Sequence, residues 1–183
     1  MPYKETVMKM QTLDSLEGLF INQLKDIYNA EHQLVKVLPG IADDANSKRL
    51  QSVIAEHLDQ THWQIEQLNW VFDHLGITPR GKRCEAMAGI IEEGRDILED
   101  EGDPGVKDAA IVAITQKVKH YEMATYGCLC TWATLLGHER VARVLEEILD
   151  QEKETDLILT DVAVNIVNRR AVEVEDVEET IYG

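Results

Sequence analysis

Residues 24–34 read Leu-Lys-Asp-Ile-Tyr-Asn-Ala-Glu-His-Gln-Leu. Leu24, Ile27 and Leu34 recur at the three-to-four spacing of a helix's buried face, and Glu31 stands where that spacing asks for another apolar residue. The stripe runs back through Phe20, Leu16 and Leu13 and on to Leu38, predicting a helix from Thr12, a good N-cap, to Leu38, ahead of Pro39-Gly40. Three further stretches behave alike. Over 48–75 the stripe is Leu50, Ile54, His57, Thr61, Gln64, Leu68, Val71 and Leu75, with Gly76 as the stop. Over 106–136 it includes Ile111, Ile114, Val118, Glu122, Leu129 and Trp132, and over 138–167 Val141, Val144, Ile148, Glu152, Thr155 and Leu159. Each long helix thus carries one metal-type ligand on its apolar face.

Between the second and third long helices lie some thirty residues, 77–106, with a short helix of their own over 84–100. The sum is an all-α chain of two long-helix hairpins joined by one long crossover, the ferritin-like four-helix arrangement, whose cofactor sites lie between facing helices. The expected organisation is a flexible segment over 1–11, the bundle over 12–168 and an acidic tail over 169–183. A length of 183 residues suits one well-buried domain. The formal net charge of −16 repels nucleic acid and anionic membranes and attracts cations, so neither of the first two is expected as a partner. No leader or membrane-length apolar run is read, and the three cysteines, Cys84, Cys128 and Cys130, form no CxxC pair. Reduced thiols in a cytoplasmic protein are the expectation.

Depth supports a meeting of the four ligands. Glu31 and His57 lie about equally far from the first hairpin turn, and Glu122 and Glu152 flank Gly137 evenly, so each pair is expected to be level. Buried carboxylates cost several kcal/mol unless something opposes their charge. Three of them around one imidazole call for a cation. Gln60, three residues after His57, and Asp156, four after Glu152, sit on the shoulders of the same face as further donors. Carboxylate, amide and imidazole donors suit iron, manganese or zinc, and bridging carboxylates could hold two ions. The alternative is a polar core layer without metal, in which His57 is protonated between glutamates and hydrogen-bonded by Tyr28, Tyr121, Thr61 and Gln64. A haem or oxygen-carrier site is poorly supported, because the core offers one histidine.

The segments 24–34, His57 to Ile65, Cys84 to Met87, His120-Tyr121-Glu122 and Glu152 to Asp156 together resemble the YciE/YciF family of bacterial stress proteins. The resemblance covers about 12–167 and implies a ferritin-like bundle, a homodimer and a link to stress responses. It also places the family's metal residues at Glu31, His57, Glu122, Glu152 and Asp156; relatives can carry Glu where this chain has Gln60. The expectation is a stress-associated metal-binding protein, with iron as a di-iron or single-metal centre and an oxidase or peroxide-related activity. The competing reading is a non-enzymatic structural or interaction protein on the same bundle.

Overall fold

The computed structural model describes residues 14–80 and 82–173 of the chain. Among them are five α-helices: α1 (Leu16–Asp44), α2 (Lys48–Leu75), α3 (Glu85–Glu99), α4 (Pro104–Leu135) and α5 (Glu139–Val162). A π-helical turn (Ala163–Val167) follows α5, and helix resumes over 168–173. The expected segment 1–11 and most of the acidic tail lie outside the described residues. The tail's first residues, 169–173, continue the last helix.

Four of the five starts are written in a side chain; only α5, at His138, has no side-chain cap. Ser15 rather than Thr12 opens α1, its Oγ accepting from Gly18 N at 3.0 Å. Ser47 caps α2, and Asp103 caps α4 ahead of Pro104, where a missing N–H costs nothing. Gly76 ends α2 at φ 66°, the left-handed geometry that a glycine adopts without strain. The expected stop at Leu38 is wrong: α1 runs through Pro39 to Asp44. A proline inside a helix removes one hydrogen bond and costs about 3 kcal/mol. Here it falls on the exposed face, while buried Leu38 and half-buried Ile41 keep the helix docked.

Helix α1 packs on α2 and α4, and α5 packs on the same two, so the bundle is a square with α1 opposite α5. The buried carboxylate of Asp108 accepts from Asn46 N and Ser47 N at 2.7 and 2.8 Å, which fixes the start of α4 beside the α1–α2 turn. At the opposite end Phe20 of α1 stacks on His138 of the α4–α5 turn. Neighbouring long helices therefore run antiparallel. Crossover helix α3 lies against α4 and α1. Gly94 lets it come close: a Cβ there would meet Ile114 Cγ2 at 2.9 Å.

Candidate functional site

Near mid-height the apolar core gives way to a polar layer. Glu31 of α1, His57 of α2, Glu122 of α4 and Glu152 of α5 are all 0% exposed. Each occupies its helix's inner stripe between apolar residues, such as Ile27 and Leu34 for Glu31 and Ile148 and Leu159 for Glu152. Contacts between the hairpins put the four at one depth. Tyr126 Oη donates to Glu31 Oε1 at 2.6 Å, Gln64 Nε2 donates to Glu152 Oε1, and His57 Nε2 stands 4.0 Å from Glu122 Oε2.

A fifth member was not anticipated. Lys119 of α4 is also 0% exposed. Its Nζ donates to Glu152 Oε2 and stands 3.0 Å from Glu122 Oε2. The ammonium lies where the two α4 and α5 carboxylates converge, and it is the cation that their burial demands. Desolvation opposes its charge, but Glu122 and Glu152 overcome it and hold its pKa above the ordinary lysine value. Lysine is normally a surface residue, so the eye passes over it. The available signal was spacing, since Thr115, Lys119, Glu122 and Tyr126 follow one another at four, three and four residues along one inner stripe.

One ammonium does not balance three carboxylates. Burial, with the charge of Glu152 added, raises the Glu31 pKa to about 7, against the hydrogen bond from Tyr126 and the field of Lys119. The same two causes push Glu122 well above the usual carboxylate range. Burial, then Lys119, holds His57 well below the usual imidazole value, so it is neutral at pH 7. This corrects the protonated His57 of the metal-free alternative: the layer's cation is an ammonium.

The hydrogen-bond partners also differ from expectation. Gln64 serves the layer, but the Thr61 hydroxyl donates to His57's own carbonyl, Tyr28 to Asn69 and Tyr121 to Asp26. Gln60 Oε1 accepts from Thr155 at 2.9 Å, and Asp156 Oδ1 stands 3.4 Å from Nε2 of exposed His120. Those two shoulder residues face partners of their own at the flank of the layer.

The donor chemistry would suit a metal ion. Glu31 Oε2, both ring nitrogens of His57 and both Glu122 oxygens are buried without a hydrogen-bond partner. The arrangement does not fit one, because Lys119 takes the place between Glu122 and Glu152 that a divalent cation would need. Among the described residues no three His, Cys, Asp or Glu side chains are gathered to hold an ion.

Comparison with known proteins agrees with the architecture. The model of a domain of unknown function, DUF892, matches residues 15–172. Protein YciF of Escherichia coli (strain K12) is 41% identical over 165 residues, 90% of this chain and 98% of that protein. The crystal structure of that E. coli stress protein matches with a TM-score of 0.82 at 40% identity, covering 85% of this chain and 99% of the other. YcfI of Rhodopseudomonas palustris, described as a candidate structural protein, matches with a TM-score of 0.81 at 40% identity, over 86% and 99%. A Xanthomonas campestris pv. campestris protein at 20% identity shares the fold, with a TM-score of 0.66 over 91% and 99%.

Proposed function

The chain belongs to the DUF892 family, and from that premise we propose that it is a non-enzymatic structural stress protein whose polar core layer carries its own cation, Lys119. The observation that carries this is the buried ammonium that donates to Glu152 and is ion-paired with Glu122. A tethered cation gives the layer a fixed charge that no change in metal supply removes, which suits a protein needed under stress. The descriptions of its relatives, a stress protein in one case and a candidate structural protein in the other, support the same reading.

The test is elemental analysis of protein purified without chelator or His-tag, followed by anaerobic titration with Fe(II), Mn(II) and Zn(II). Less than about a tenth of an equivalent bound is the expected result. One or two equivalents held tightly would overturn it.

A second reading, metal binding, is favoured by the orphaned atoms of Glu31, His57 and Glu122. In it, iron, manganese or zinc would be held by Glu31, His57, Glu122 and Glu152, with Gln60 and Asp156 moving in from the flank and Lys119 withdrawn. Such an ion would supply Lewis-acid or redox chemistry. The same titration separates the two readings.

We further propose a cytoplasmic homodimer. Among the described residues no helix is long and apolar enough to cross a membrane. Trp70, 41% exposed and stacked on His74, offers an anchor of the kind found at interfaces. Light scattering is expected to give twice the 20.7 kDa of one chain.

A further inference from the structure

A cavity of about 480 Å³ opens between α1, α3 and α4, toward the α1–α2 end of the bundle. Its size is that of sites for small organic molecules. Gly94 seats α3 tightly on Ile114 of α4, so the gap is left on the α1 side. There a Cβ on Gly40 would meet nothing within 4 Å. Val37 and Ile41 of α1 and Ile91 and Leu98 of α3 line this space half-buried, with buried Ile111 and Ile114 of α4 behind them. His57 borders the inner end, but both of its ring nitrogens are wholly buried, so the cavity stops short of them.

The charges in the lining are segregated. Helices α1 and α3 run in the same direction. Asn29 and Gln33 of α1 hold Cys84 at the start of α3. The link over 100–103 carries the end of α3 to the start of α4, which Asp108 ties to Asn46 just past α1. On both helices a base comes first and an acid last, Lys36 before Asp44 and Arg95 before Glu99. All four are exposed, and among the described residues none of them forms an ion pair. Two positive charges therefore flank the mouth nearer mid-height, and two negative charges flank it at the bundle's end.

We propose that this cavity binds a single-chain amphiphile with a zwitterionic head. The alkyl chain runs along the aliphatic walls. The head lies along the mouth, its anionic group by Lys36 and Arg95 and its cationic group by Asp44 and Glu99. Burial of the chain supplies most of the affinity, about fourfold for each methylene that leaves water. The head stays in water, where each exposed ion pair contributes at most about fivefold. A purely anionic head gains the two bases but meets the two carboxylates and a chain of net charge −16. A purely cationic head gains the carboxylates but meets the bases. A zwitterion satisfies both pairs. The site goes beyond the structural role proposed above and uses none of the buried layer's charges.

The experiment is calorimetric titration of the full chain with octylphosphocholine, decylphosphocholine, decanoate and decyltrimethylammonium, each below its micelle-forming concentration. Saturable binding of one decylphosphocholine per chain is expected, about fifteenfold tighter than its octyl homologue. It should also be roughly threefold or more tighter than decanoate or decyltrimethylammonium. Gly40→Trp fills the mouth from an exposed position with open space around it, and Leu98→Trp fills the cavity from its α3 wall. Each should weaken decylphosphocholine roughly tenfold or more while melting stays cooperative, and the second guards against a first that fails to fold. Reversing both bases, Lys36→Glu with Arg95→Glu, should make decyltrimethylammonium the tightest binder. The proposal is overturned by absence of saturable binding, by octyl and decyl chains binding equally, or by decanoate or decyltrimethylammonium matching the zwitterion. Unchanged binding in folded Trp variants, or a ligand preference that survives the charge reversal, would overturn it too. Failure here leaves the Lys119 reading untouched, since metal titration tests that separately.

Discussion

Two polar clusters cross this bundle, and they are solved in different ways. In the mid-core layer, three carboxylates, an imidazole and Lys119 are wholly buried, and five of their polar atoms lack a hydrogen bond. Under the crossover, Asp26 is also largely buried, but it is met on every side. It accepts from Tyr121 Oη and pairs with Lys82 at 3.0 Å, and Tyr121 in turn contacts Cys84 Sγ at 3.0 Å. Asn29 Oδ1 holds Cys84 N at 2.8 Å, so the same cluster positions the start of α3. Burial raises the Asp26 pKa, but the hydrogen bonds from Cys84, Tyr121 and Lys82 win and hold it below the ordinary value. In the layer burial wins, and Glu31 and Glu122 rise. The difference teaches that partners and depth together decide whether a carboxylate stays charged. A cluster that only holds structure together can be fully satisfied. The layer keeps unmet capacity.

The comparison can be broken most severely at Lys119. Lys119→Ala leaves Glu152 in the core without its ammonium, and chemical denaturation should show a loss of about 3–5 kcal/mol. A loss under about 1 kcal/mol would mean that the ion pair is nominal.

Next in size is an opposition in pH dependence. The Glu31 pKa is about 7 folded against 4.5 as its ordinary value, so the folded state holds the extra proton between those limits. Its stabilising contribution is whole below pH 4.5 and is lost as pH rises to 7. His57, held low, works the other way, and its contribution is lost as pH falls below 6.5. Glu31→Gln isolates the first effect. Relative to the native chain, this variant should gain on the order of 3 kcal/mol between pH 4.5 and 7. A flat difference across that range would contradict the raised value.

Asp26 is smaller and opposite in sign. Its pKa is lowered, so its contribution is whole above pH 3.8 and is lost as pH falls through the folded value below that. Partial exposure of Lys82 screens the pair. Asp26→Ala should therefore cost only about 1–2 kcal/mol at neutral pH by urea unfolding. A loss as large as that of Lys119→Ala would erase the distinction between the clusters. Smallest is Tyr121→Phe, which removes a donor to Asp26 and should cost about 1 kcal/mol in the same assay.

The sequence was a good guide to helices and to the carboxylates, and a poor one to what neutralises them. The α2 and α3 bounds, the hairpin depths and the four inner polar residues follow from apolar spacing, because a polar residue on an apolar stripe is conspicuous. Lys119 is not, since a long flexible cation beside Val118 reads equally well as one lying along the surface with its charge in water. Whether it turns inward depends on Glu152, thirty-three residues away, and on the packing of α4 against α5. Pro39 misled for a related reason: local propensity marks it as a stop, whereas burial of Leu38 and Ile41 decides otherwise. The flanking roles of Gln60 and Asp156 depend on Thr155 and His120 as neighbours, and that choice is made in three dimensions.

The central claim is that Lys119 is the layer's cation, and melting curves of the native chain and Lys119→Ala with and without Zn(II) or Fe(II) test it most directly. The account predicts a native melting temperature indifferent to metal, a much lower one for Lys119→Ala, and partial recovery of that variant when a divalent ion replaces the missing charge. A native chain that is strongly stabilised by metal, beside a Lys119→Ala variant that melts where the native chain does, would contradict it.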